Sequence, residues 1–140
     1  MLKAVVDTNV IVSALRSKSG ASFRLLSLVG DERWRMSLSV PLFLEYEDVL
    51  KRPEIGLTLS ADKIDDVLNF VCAQADLREI FYLWRPVLPD PKDDFVLELA
   101  VESGRRYIVT FNVRDFEASR QFGIEAVTPR EFLQKIGELA

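Results

Sequence analysis

The chain has 140 residues, 49% of them apolar and 29% charged, with 18 basic against 22 acidic side chains and a net charge of −4. That length holds one domain, residues 1–140, with a real core, and the composition excludes a disordered or low-complexity chain. The mild acidity advertises neither a nucleic-acid nor a membrane partner, although a local basic rim can sit beside an acidic site.

In chain order, "KAVVD" reads as a short buried strand, and "VIVSALR" and "SFRLLSLVG" as two helical pieces broken around Gly20. "WRMSLS" reads as a second strand. Pro41 opens a helix over "PLFLEYEDVLKR" and Pro53 stops it. Residues 61–76 read as a helix that carries the single cysteine, Cys72, beside the apolar repeat Ile64, Leu68, Val71 and Ala75, which predicts a buried thiol. One cysteine allows no internal disulfide and fits a reducing cytosol. "REIFYL" reads as a third strand, "PKDDFVLELAVESG" as a helix ended by Gly104, "RYIVT" as a fourth strand, "RDFEASRQF" as a short helix, "IEAVT" as a fifth strand and "PREFLQKIGEL" as a terminal helix. Apolar runs stay far below the roughly 18 residues of a membrane helix, and Asp7 interrupts the N-terminal run too early for a signal peptide, so the expectation is a soluble, cytoplasmic protein.

Short apolar strands alternating with helices predict an α/β/α three-layer sandwich around a central, mainly parallel, twisted sheet. In such a sheet functional groups gather beyond the carboxyl ends of the strands. The chain has no histidine, which removes the commonest general base and the commonest transition-metal ligand, so any catalysis runs on carboxylates, hydroxyls, lysine, tyrosine or a hard metal.

Acidic residues recur at those strand ends. Asp7 follows the first strand, where it either caps the next helix or ligates a metal. Glu45 sits on the edge of the apolar stripe Leu42, Tyr46, Val49, Leu50 and needs a basic or metallic partner, while Glu47 and Asp48 read as solvated charges. In "PDPKDDFVLELA", Asp90 reads as a helix cap and Asp93 as a capping-box acid, yet three aspartates exceed what one cap needs, so Asp93 or Asp94 is a further candidate. "IVTFNVRDF" supplies Thr110, Asn112 and Asp115, either a polar turn with a cap or the fourth element of a site. Converging carboxylates need a neutralising cation. Oxygen-only ligands favour magnesium or manganese, which suit phosphate ester chemistry.

The blocks "VVDTNVIVSAL", "PLFLEYEDVLKRPE", "DPKDDFVLELAVESGRRYIVTFNVRDF" and "AVTPREFL", in that order from Ala4 to Leu133, resemble the PIN-domain family, in particular its small VapC-like toxins of prokaryotic toxin–antitoxin systems. The resemblance implies a magnesium- or manganese-dependent ribonuclease that cuts single-stranded RNA. Carried over by motif, it implies metal-binding and catalytic roles for Asp7, Glu45 and Asp93, with Asp94 a neighbour, and supporting roles for Thr8, Asn9 and Thr110. The chain departs from the family at the fourth acid, where Asn112 occupies the usual aspartate position and Asp115 follows three residues later. Arg16, Lys18, Arg24 and Arg114 form a candidate RNA-binding rim, against the plainer reading of surface charge. "FRLLSLV" and "VLNFV" offer a homodimer face or an antitoxin groove, with core packing as the plainer account. Rival functions are a phospho-acceptor domain, which needs paired acids and a lysine that the motifs lack, a degenerate RNA- or protein-binding PIN domain, and an RNA-processing nuclease outside toxin–antitoxin systems.

Overall fold

The computed structural model describes residues 1–79, 94–102 and 107–140. Five strands form one sheet: β1 (Leu2–Val6), β2 (Trp34–Leu38), β3 (Asp76–Leu77), β4 (Tyr107–Val109) and β5 (Glu125–Val127). Their order is β3-β2-β1-β4-β5, and every pairing is parallel. Around them lie α1 (Thr8–Arg16), α2 (Ala21–Ser27), α3 (Val40–Leu50), α4 (Ala61–Gln74), α5 (Asp94–Glu102) and α6 (Pro129–Lys135), with 3₁₀ segments at Pro53–Ile55 and Val113–Phe122.

The burial of β1 explains the layering. Successive strand residues face opposite sides of a sheet, and Ala4, Val5 and Val6 are all buried, so both faces are covered. The chain leaves β1 toward β2 and β3, then crosses back to place β4 and β5 on its other side. That reversal makes the carboxyl end of β1 the switch point of the sheet, where open α/β folds form crevices.

α3 is the element that reaches this crevice. The Ser39 side chain accepts a hydrogen bond from the Leu42 amide, Pro41 occupies the first turn, and Leu42, Tyr46 and Leu50 repeat every four residues to form the buried stripe. The stripe fixes which face of α3 is buried and so leaves Glu45 at its margin.

Some boundaries differ from the sequence expectation. α4 ends at Gln74 because Ala75 turns extended, and β3 follows at once by pairing with Ser37 and Leu38, earlier than the strand expected over 78–83. Most of that expected strand lies outside the described residues, as do Asp90, Pro91 and the helix stop at Gly104. The segment expected as a short helix after β4 is a 3₁₀ run, non-helical at Phe116 and closed by Gly123 at φ +75°. Cys72 is partly rather than fully buried, packed against the core from the side of α4. Among the described residues no helix is long and apolar enough to cross a membrane.

Candidate active site

Parallel pairing sets the site. β1 and β4 run side by side with Val6 opposite Val109, and the Asp7 amide donates to the Val109 carbonyl at 2.8 Å. Asp7 and Thr110 therefore leave adjacent strands at the same edge. The Thr110 hydroxyl, fully buried, donates to Asp7 Oδ2 at 2.7 Å and accepts from the Asn112 amide at 3.0 Å. The other Asp7 oxygen, Oδ1, accepts from the Thr8 amide at 2.8 Å, so Asp7 does cap α1 as well.

Thr8 joins the second acid to the first. Its amide holds Asp7, and its hydroxyl donates to Glu45 Oε2 across from α3. One residue later on α3, the fully buried Tyr46 donates its hydroxyl to the Val6 carbonyl, which pins the helix to the end of β1 beside the acids. Sequence periodicity placed Tyr46 in the core stripe but not on this bond.

The electrostatics follow from burial. Asp7 is only 6% exposed, and desolvation is the main reason its pKa is raised. The Thr110 and Thr8 hydrogen bonds favour the carboxylate and oppose that rise, while the charges of Glu45 and Asp115 add to it. Burial, then the charges of Asp7 and Glu45, hold the Tyr46 phenol well above its ordinary value, so it stays a neutral donor.

The acids open into a cleft of about 880 Å³ lined by segments of α1, α3 and the turn after β4. Its floor includes Asp7, Thr8, Asn9 and Glu45. Arg16 and Arg52 line the same cleft; Arg16 donates to the Ile55 carbonyl at 2.8 Å and Arg52 pairs with Asp48. Asp48, read from the sequence as an ordinary solvated charge, is exposed but belongs to this wall.

The remaining candidates divide. Asn112 lines the cleft and Asn9 Oδ1 accepts from the Phe111 amide at 3.4 Å. Asp115 is partly buried inside the first 3₁₀ turn rather than capping it from outside, and its charge reaches Asp7. Asp93 lies outside the described residues, and Asp94 is the first residue of α5. Lys18 and Arg114 are exposed, whereas Arg24 is engaged by Glu138. Glu98, which no motif singled out, is buried on α5 at 2% exposure; an acid inside the apolar run "FVLELA" was the available signal.

Asp7 and Glu45 present only oxygen, and the raised pKa of Asp7 comes first from burial and then from the charges of Glu45 and Asp115, both of which a hard cation would offset; this donor set fits magnesium or manganese. Among the described residues no three acidic, histidine or cysteine side chains form a metal cage by themselves.

Comparison with known proteins agrees with this architecture. The PIN domain family model matches residues 3–114. A chain from the crystal structure of VapBC2 from Rickettsia felis bound to a DNA fragment from their promoter superposes with a TM-score of 0.64 at 11% identity, covering 91% of this chain and 98% of that one. A chain of VapBC-1 from nontypeable Haemophilus influenzae gives a TM-score of 0.61 at 12% identity, with 92% and 99% covered. Comparison with curated protein sequences gives no match. With the family model spanning most of its length and the fold shared with both VapBC structures, the chain belongs to the PIN-domain family and has a VapC-like architecture.

Proposed function

We propose that the protein is a divalent-metal-dependent endoribonuclease that cuts single-stranded RNA and acts as the toxin of a toxin–antitoxin pair. The observation that carries this reading is the Asp7–Thr8–Glu45 arrangement at the switch point of a PIN sheet, two carboxylates tied through one residue with the ionised form of Asp7 disfavoured by burial. Asp7 and Glu45, with Asp93 and either Asp115 or Asn112, would hold magnesium or manganese. The bound ion would supply activation of water and stabilisation of the leaving oxygen.

The chain's own residues do the rest. Thr110 and the Thr8 amide fix both oxygens of Asp7, so its orientation does not depend on substrate. The Thr8 hydroxyl and the Tyr46 anchor set the position of Glu45 relative to Asp7. Arg16 offers the cleft a cation for the sugar–phosphate backbone, Arg52 is offset there by Asp48, and Lys18 and Arg114 lie on the surface beyond the cleft lining. Both structural neighbours come from VapBC complexes, which supports a cognate antitoxin as partner here.

The test is cleavage of a labelled single-stranded RNA by purified protein with magnesium, manganese or EDTA, beside folded Asp7→Asn, Glu45→Gln and Asp93→Asn variants. Metal-dependent cutting lost in the variants supports the reading, and cutting that survives in all of them sinks it. A second reading, a PIN domain that binds RNA without cutting, draws on Asn112 in place of an acid; RNA binding without cleavage under every metal condition would favour it.

A further inference from the structure

The cleft is zoned in a way that metal and phosphate do not explain. Beside its acidic floor and its two arginines lies an apolar lip of Pro41 and Leu44 on α3 and Phe111 on the turn after β4. Leu44 is 53% exposed and Phe111 48%, while Phe116, five residues further on, is fully buried. Leaving an aromatic ring half in water forgoes the burial energy that Phe116 gains.

Phe111 is also held in place from both sides. Thr110, before it, donates to Asp7, Asn112, after it, donates its amide to the Thr110 hydroxyl, and the Phe111 amide itself donates to Asn9. The ring thus stands on backbone tied to Asp7, through Thr110, and to Asn9, both at the floor of the cleft. An exposed ring on anchored backbone in the same cleft as the acids suits the flat face of a nucleobase, which stacks on aromatic side chains without regard to sequence.

We infer that Phe111 is a base-stacking residue: it receives the nucleobase next to the phosphodiester held over Asp7 and Glu45, with Leu44 and Pro41 completing the apolar lip. This rests on the single-stranded RNA reading of the site. It implies a substrate whose bases are unpaired at the point of cleavage, because a duplex keeps those faces covered.

Two measurements test it. In cleavage kinetics, Phe111→Ala should raise KM about tenfold with kcat changed little, and Phe111→Tyr should restore the KM. An unchanged KM in folded Phe111→Ala while the parent protein cleaves RNA overturns the inference and leaves the nuclease standing. In binding, Phe111→Trp in an Asp7→Asn background should show tryptophan quenching by a short single-stranded RNA beyond that of the Asp7→Asn parent, and a much smaller change with the same oligonucleotide made abasic. Quenching that depends on the bases supports the stacking residue even if no form of the protein cuts. No quenching, or equal quenching by the abasic strand, overturns it, including the case in which the lip receives a protein partner instead.

Discussion

Burial works against the ionised form of Asp7, and the effect on stability has a definite sign. Its folded pKa lies above the unfolded value, so the native state holds the proton more tightly. The associated stability is complete below the ordinary aspartate range and is lost as pH rises through the raised pKa. At neutral pH without metal, Asp7→Asn should therefore raise the melting temperature by a few degrees, since asparagine still caps α1. The same variant should lose cleavage by about two orders of magnitude or more, which a metal-supplemented RNA assay reads directly. A melting temperature that falls instead would mean that the lost Thr110 or Thr8 hydrogen bond outweighs the relieved charge. Asp7 and Glu45 were legible in the sequence because a charge at a strand end, or on the margin of an apolar stripe, violates the local pattern. Phe111 was not, because an aromatic residue after a strand reads as core until its exposure is known.

At the scale of elements, the placement of α3 decides the spacing of the acids. Removing the Tyr46 hydroxyl leaves the Val6 carbonyl without that donor, and Tyr46→Phe should cost about 1–2 kcal/mol in urea denaturation. It should also weaken magnesium binding, because Glu45 loses its reference to β1. Leu42→Ala, at a fully buried position of the same stripe, should cost about 2–5 kcal/mol with a smaller effect on metal affinity per unit of stability lost. The helix itself was readable from Pro41 and the four-residue repeat. The tie between Tyr46 and Val6 was not, since a separation of 40 positions gives no local signal of which carbonyl meets the hydroxyl. The 3₁₀ run after β4 was read as a helix for a related reason: its composition is helical, but Gly123 and the turn at Phe116 tighten it so that β5 can re-enter the sheet.

For the molecule as a whole, two charge systems respond differently to solution conditions. At the site, magnesium should raise the melting temperature of the parent protein, EDTA should reverse the rise, and Asp7→Asn should blunt it, as mass action on the folded state requires. Elsewhere, Glu138 accepts from Arg24 and Arg33, which also pairs with Asp31, and these bonds tie the C-terminal residues to α2 and the approach to β2. The arginines hold the Glu138 pKa below its ordinary value. Its contribution is thus present above the unfolded pKa and disappears as pH falls through the folded one. Glu138→Gln should lower the melting temperature at neutral pH, and the difference from the parent should close in acid and shrink with added salt. The parallel sheet was readable from short apolar segments alternating with helices, whereas this network joins residues more than a hundred positions apart and has no sequence period to announce it.

Thr8 gives its amide to one acid and its hydroxyl to the other, so Asp7 and Glu45 are not independent variables. Substitutions at these three positions should be epistatic: the double change Thr8→Val with Glu45→Gln should cost clearly less than the sum of its parts. A family tree read at any one of them alone would misjudge its tolerance, since a viable path from this arrangement to another must pass through coordinated replacement of the trio.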